Sequence, residues 1–250
     1  LAAVCGDGRA DVALSGNLRA LIAARLDQLP ATQRAIVDNA AVLGTSDVVK
    51  ALEQFALELG QPFRSEDVDA LVADGVFQVQ GGRWRFVSEV VREVAYQTLT
   101  KRTRAARHAG VAAALRRLRA PHREHLAHHT ATAAELVAEL GPVAGVPDSI
   151  RVDAINDLLA SARAALAEGR ALAANRLTTR ALDLGVTEPT VEHHLLVLRA
   201  STELELRRFP EAERDARAAL ELALAAGDPA GEAEARLRLG TASHHLGDLT

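Results

Sequence analysis

Apolar residues recur at helical spacing along most of the chain. In the first helix Leu18, Leu21 and Leu26 share one face, and Pro30 ends that helix because a proline ring does not fit a helix interior. A third helix is predicted over Asp47–Leu59. The pattern predicts four helices before residue 76, and the breaks that end them fall at Pro30, Gly44, Gly60 and Gly75.

A different periodicity occupies residues 76–87. Val76–Gln80 and Arg83–Val87 both alternate apolar and polar residues, and two glycines join them. This combination predicts a tight β-hairpin, because the favoured two-residue turns need positive φ. Another helix is predicted over Glu89–Leu99. Helices followed by one hairpin have the order of a winged-helix domain, which we expect over residues 17–100. Residues 1–16 have no periodicity and are predicted to be a connector.

From residue 101 onward the pattern is helical, beginning with a helix over Thr103–Arg119, and the short connections predict antiparallel neighbours. Ala174 aligns with Ala212, and Ala181 with Ala219, both at an offset of 38 residues. Small residues at a fixed offset let paired helices touch, which predicts TPR-like repeats over residues 101–250, truncated at the C-terminus. A generic helical bundle with chance alanine matches is the alternative.

Composition supports a mainly α fold class: a winged-helix domain with one β-hairpin followed by a TPR-like α-solenoid. About one residue in five is alanine, the best helix former, and only 3% are aromatic, which argues against an all-β fold. The chain contains no methionine and opens on Leu1, so we expect a fragment of a longer protein. With no run of 18 apolar residues and a single cysteine, Cys5, we expect no membrane span and a cytoplasmic location.

The net charge of −4 hides a strongly basic segment. Residues 83–123 carry 11 basic and 2 acidic side chains, a net charge of +9. One interpretation is a surface for an anionic ligand or an acidic partner, and the other is a solvated face that complements acidic neighbours of the same chain.

Motifs for chemistry are missing from the sequence. Its two lysines, Lys50 and Lys101, lie outside any phosphate-binding loop, and four closely spaced histidines have no accompanying cysteine: His122, His125, His128 and His129. We therefore expect no catalytic, cofactor-binding or metal site in this chain. The helix before the hairpin, Ser65–Asp74, carries four acidic residues and no basic one, which argues against direct DNA binding.

Several ordered segments resemble the region that follows the ATPase core in STAND-type signalling ATPases. The resemblance extends over roughly residues 17–130, and the segments that carry it are Leu18–Pro30, Ala40–Gly44, Trp84–Phe86, Val90–Tyr96, and Lys101–Arg104 with His108. One position departs from the family, since Ser88 stands where these proteins usually have a histidine. If that histidine senses the nucleotide in relatives, this protein senses it differently or not at all.

The resemblance implies a regulatory part of a multidomain bacterial signalling protein. ATP would bind to an ATPase core upstream in the same chain, the winged helix would gate that core, and the repeats would bind a protein partner or an inducer. A class III adenylate/guanylate cyclase is the favoured effector domain; a LuxR-type ATP-dependent transcription regulator and a helical scaffold without an ATPase are the alternatives. We place the contact with the core at four residues: Arg92, Arg102, Arg104 and His108.

Overall fold

The computed structural model describes residues 8–118 and 122–247, with side chains from residue 16 onward. The described chain is mainly helical, with 75% helix, twelve helices and a small three-stranded antiparallel sheet. It divides into two compact units, Leu1–Ala114 and Leu115–Thr250. None of the described helices is long and apolar enough to cross a membrane.

The first unit combines helices with the sheet. Its elements are α1 (Gly8–Asp27), α2 (Ala31–Leu43), β1 (Ser46–Val48), α3 (Val49–Glu58), α4 (Ser65–Ala73), β2 (Phe77–Gln80), β3 (Arg83–Phe86), α5 (Glu89–Thr98) and most of α6 (Lys101–Arg116). Pro30 separates α1 from α2, and the Ser88 hydroxyl caps α5 by accepting a hydrogen bond from the Val90 amide.

The predicted hairpin is confirmed. Strands β2 and β3 pair antiparallel with Phe77 opposite Phe86, and the two turn glycines, Gly81 and Gly82, have φ of 57° and 71°. Consecutive positive φ values are what this hairpin turn requires, and only glycine adopts them without strain. The strand order is β1-β3-β2.

The hairpin contributes the aromatic core of the first unit. Trp84 is fully buried, and its ring centroid lies 5.3 Å from that of Phe77 and 5.7 Å from that of Phe86. Val37 and Leu71 are buried in the same cluster. As the sequence predicts, Trp84 and Phe86 pack in the core, while Tyr96 is half-buried at its edge.

Three details of the first unit differ from the sequence-based expectations. Residues 8–16, expected to be an irregular connector, belong to α1; residues 1–7, with Cys5, lie outside the described part. The third helix begins at Val49 instead of Asp47, because Ser46–Val48 forms an unpredicted strand on β3. Helix α6 begins two residues before the predicted start at Thr103, because the Thr100 hydroxyl accepts a hydrogen bond from the Thr103 amide.

The regular elements in the described part of the second unit are all helices. Its complete helices are α7 (Arg123–Leu140), α8 (Ile150–Ala167), α9 (Ala171–Asp183), α10 (Pro189–Glu205), α11 (Phe209–Ala226) and α12 (Pro229–Leu246). Each packs against the next along the chain, and α10 also contacts α8 and α12, which lie two helices away in the sequence.

Alanines lie where these helices meet. Both aligned pairs, Ala174 with Ala212 and Ala181 with Ala219, are completely buried. The absence of a longer side chain allows close approach of the helix backbones, so the 38-residue offset marks equivalent packing positions.

The same offset relates the ends of α8 and α10. Gly169 and Arg207 both have positive φ, and Arg207, at 58°, is the non-glycine residue with positive φ in the described chain. The amides of Arg170 and Arg208 donate to carbonyl oxygens five residues earlier, on Ala165 and Glu203, each over 2.8 Å. This hydrogen bond is that of the Schellman motif, which normally has glycine at the left-handed position.

Replacing Arg207 by glycine should therefore stabilise the protein. A left-handed conformation costs a residue with a Cβ about 1 kcal/mol, and Arg207→Gly removes that cost. We expect the free energy of unfolding in urea to rise by about that amount. The control is Arg208→Gly, at a neighbouring residue with φ of −95°, which should bring no gain. An equal gain from both variants would contradict the assignment of strain to Arg207.

Candidate functional site

Three of the four residues expected to contact an ATPase core meet around Tyr96 in the first unit. The Tyr96 hydroxyl lies 2.9 Å from Nε2 of His108, and the guanidinium carbon of Arg104 lies 4.7 Å from the Tyr96 ring centroid. Arg92 is one helical turn before Tyr96 on α5, close enough for its charge to act on the phenol. The fourth residue, Arg102, is exposed on the first turn of α6.

Arg104 joins α5 to α6. Its Nε donates to the carbonyl oxygen of Leu99 and its Nη2 to that of Gln97, both over 3.0 Å. These carbonyls belong to the last turn of α5 and the residue after it, where a cation offsets the negative end of the helix dipole. The guanidinium face is left over the Tyr96 ring, in a cation–π arrangement.

Arg92 has unused hydrogen-bonding capacity. Its Nη1 donates to the carbonyl oxygen of Ala41 over 3.4 Å, while its Nε is buried and has no partner among the described residues. Burial raises the pKa of Tyr96, and the positive charges of Arg104 and Arg92 oppose that rise. Tyr96 is therefore a neutral phenol at neutral pH, held by His108 and two cations.

His108 is only 2% exposed, so a contact through its ring with another molecule would need α6 to move. The structure gives it an internal role in positioning α6 on α5. The signal in the sequence was a basic run followed by a histidine, and it does not distinguish an exposed interface from an internal junction.

A second arginine of α6, Arg107, was not singled out by the sequence but ties α6 to α2. It is buried, and its two terminal nitrogens donate to Oδ1 of Asn39 and to Oδ2 of Asp38, the latter over 3.4 Å. Asp38 also pairs with Arg34 over 2.8 Å. For Arg107, the alternative interpretation of the basic segment applies: an acidic residue of the same chain complements the cation.

The sheet carries two further cations of the basic segment on its outer face. Arg83 and Arg85 are exposed and face Gln80 and Gln78 across the hairpin, with Nε of Arg85 donating to Oε1 of Gln78 over 2.8 Å. Three acidic residues of α4 and its C-cap position are exposed, namely Glu66, Asp69 and the C-cap residue Asp74. An acidic α4 repels a phosphate backbone.

A groove of about 430 Å³ lies in the second unit, over α10 and between α8 and α12. Its floor presents both apolar and polar side chains. The residues that set its chemistry are Arg163 of α8, His194, Leu198 and Ser201 of α10, and Glu234 and Arg238 of α12.

Polar contacts fix the α12 side of the groove. Nε of Arg238 donates to the Ser201 hydroxyl over 2.7 Å, and its Nη2 lies 4.0 Å from Oε1 of Glu234. Burial lowers the pKa of His194, and Arg163 acts in the same direction, while Glu234 and Asp228 oppose it. His194 is therefore neutral at pH 7, with one ring nitrogen to donate and one to accept.

The four histidines considered for a metal site lie on α7 or just before it. His122, the N-cap residue, His125 and His128 are exposed, while His129 is buried. The adjacent rings of His193 and His194 have centroids 5.8 Å apart at 63°, and the two residues point to different partners: Nδ1 of His193 lies 3.0 Å from the Ala219 carbonyl oxygen, and His194 lines the groove.

In comparisons with known proteins, no protein-family model and no curated protein matches the chain.

The Arg107 network leads to a stability prediction. Arg107→Ala removes a buried partner from Asp38 and Asn39, and it should lower the free energy of unfolding in urea by about 3 kcal/mol. The control is Arg83→Ala, which removes an exposed guanidinium from the same unit and should change the value by less than about 0.5 kcal/mol. Equal effects of the two variants would mean that the Arg107 network does not stabilise the first unit.

Proposed function

We propose that the chain is a non-catalytic regulatory part of a STAND-type signalling ATPase. In this proposal, the first unit is a winged-helix module that gates an ATPase core of the same chain, and the second unit consists of TPR-like repeats that bind a protein partner or an inducer. ATP would bind in the core, and a class III adenylate/guanylate cyclase is the favoured effector.

The observation that carries the proposal is strand β1. It pairs with β3 and gives the order α2-β1-α3-α4-β2-β3, with sheet order β1-β3-β2, which is typical of winged-helix domains. The resemblance in sequence rests on helix and hairpin segments and did not include this strand. The order therefore supports the winged-helix interpretation independently.

The second unit supports a binding role through the groove. Helices α8, α10 and α12 all contribute to it, while α9 and α11 supply none of its lining residues. Alternate helices therefore present one continuous face, an arrangement suited to an elongated ligand. Its mixture of leucines, two arginines and two glutamates suits a peptide better than a compact anion.

The gating role can be tested in the parent protein. Replacing Arg92, Arg102 and Arg104 together by alanine should change ATP turnover, because these cations are the proposed contact with the core. Arg83→Ala with Arg85→Ala is the matched control, since it removes basic side chains from the outer sheet face. A thermal melt separates loss of gating from loss of the Arg104 contacts to α5. Unchanged turnover in the triple variant would refute the interface.

The binding role has a separate test. Leu198→Arg places a cation on the groove floor and should abolish the response of ATP turnover or cyclase output to the inducer in cells. Leu224→Arg is the control, because Leu224 is exposed on α11 and does not line the groove. A full response in the Leu198 variant would show that the ligand binds elsewhere.

The acidic α4 gives a prediction for nucleic acid. The chain should give no shifted band with mixed-sequence duplex DNA in a gel at low salt, because four carboxylates lie where a recognition helix needs cations. A shift that disappears with Arg83→Ala and Arg85→Ala would instead favour a DNA-binding role for the sheet face, as expected of a transcription regulator.

A further inference from the structure

A buried carboxyl group lies between α10 and α11 of the second unit. Glu203 is 7% exposed, and its Oε2 has no hydrogen-bond partner within the described part of the chain. The equivalent position in the preceding pair of helices is Ala165, which is completely buried and 38 residues earlier. An ionisable group has thus replaced a methyl group at a packing position.

The charges around Glu203 do not balance it. Arg199, one turn earlier on α10, directs Nε to Oδ2 and Nη2 to Oδ1 of Asp215 on α11, the latter over 2.8 Å. The Arg199 guanidinium is therefore the bidentate partner of Asp215, and Oε2 of Glu203 is left without a hydrogen bond among the described residues. Asp215 is itself buried, so the two acidic groups share a poorly solvated region.

Beyond Arg199 and Asp215, the charges that act on Glu203 come from two further residues of α11. Glu211 and Arg214 of α11 act on Glu203 from the same side with opposite signs, and Asp183 of α9 acts on Arg199. The contact with α9 at Thr202, the residue before Glu203, is uncharged: Nδ2 of Asn175 donates a hydrogen bond to the Thr202 hydroxyl over 2.9 Å. The charged residues of α8 and α12 next to α10 line the groove: Arg163, Glu234 and Arg238.

Burial raises the pKa of Glu203 to about 7; the negative charge of Asp215 acts in the same direction, and Arg199 opposes both. The Glu203 carboxyl therefore gains and loses its proton near pH 7, whereas an exposed glutamate is fully ionised at that pH.

We propose that the junction between α10 and α11 is a proton-operated switch, closed when Glu203 carries its proton and loosened when Glu203 loses it. The neutral acid fits the poorly solvated space beside the Arg199–Asp215 pair. Ionised Glu203 places a second negative charge next to Asp215, and the two helices must separate to hydrate it. The proposal goes beyond the regulatory function proposed above and does not depend on it.

The direction of the pH dependence follows from the pKa of the two states. Glu203 binds its proton more tightly in the folded chain than in the unfolded chain, where its pKa is about 4.5. Its contribution to stability is therefore complete below about pH 4.5 and is lost as the pH rises through about 7. Ordinary carboxylates paired with cations have the opposite dependence, so the effect of Glu203 must be isolated by a variant.

Hydrogen exchange of backbone amides in the full chain, read by mass spectrometry between pH 5 and 8, tests the switch. After correction for the intrinsic rate, the opening constant of α10 and α11 should rise by up to tenfold per pH unit below pH 7 and level off above it. Amides of α8 and α9 should show no such rise. Glu203→Gln should abolish the rise, while Glu205→Gln, at an exposed position of the same helix, should keep it.

Two outcomes would overturn the proposal: a flat pH profile for wild-type α10 and α11, or an unchanged rise in the Glu203→Gln variant. If the glutamine variant fails to fold, Glu203→Ala provides the same comparison with the residue that the preceding pair has at Ala165. In wild type alone, infrared difference spectra should show a protonated carboxyl band that disappears on titration through about pH 7. Absence of that band would also overturn the proposal.

Discussion

Close approach of helices at alanine contacts is the constraint on which the second unit depends. A buried alanine contributes little apolar area, about a third of what a leucine removes from water, so each contact adds little stability by itself. Ala174, Ala181, Ala212 and Ala219 are useful because they bring backbones near enough for the rest of each helix face to pack. In such a unit, a single poorly solvated polar group weighs heavily against the sum of small contributions, which is why Glu203 matters.

The first unit meets the opposite condition, because a few large side chains organise it. Trp84, Phe77 and Phe86 gather on the inner face of the hairpin, with ring centroids 5.0 to 5.7 Å apart. The polar groups then connect the helices to this core from outside. Arg107 holds α6 on α2, and Arg104 with Tyr96 and His108 holds α6 on α5. A proposed gating contact at these arginines would therefore act on side chains that already determine where α6 lies.

The elements with strong local signals were predictable from the sequence. Gly81-Gly82 between alternating runs predicted the hairpin and its turn, and glycine or proline breaks predicted most helix ends. Strand β1 was missed because Ser46–Val48 is too short for alternation and is defined by its pairing with β3, a long-range contact. The start of α1 was missed because Gly8, Asp11 and Gly16 have low helix propensity.

The candidate sites were predictable only in part, for a similar reason. A basic run showed that Arg92, Arg104 and His108 belong together, but pairing with carbonyls and with a phenol is decided by the packing of α5 on α6. The groove was not predicted because its lining comes from three helices that are far apart in the sequence. Glu203 did leave a signal in the sequence, because it lies 38 residues after Ala165 and places a charge where the preceding pair of helices has a methyl group. The offset was recognised in the second helix of each pair, and Glu203 is found only when the same offset is applied to the first helix.

Neighbour-to-neighbour packing gives the Glu203 junction a consequence for cooperativity. In the second unit most helix contacts are with the next helix along the chain. Loss of packing at one junction between helices therefore need not disrupt the packing at the others. With the junction closed, α7 to α12 melt as one block. With it loosened, the block would divide, and the helices from α10 onward would open more readily while α7 to α9 stay folded. The proton concentration would then set the number of residues that unfold together, in addition to the stability of the whole.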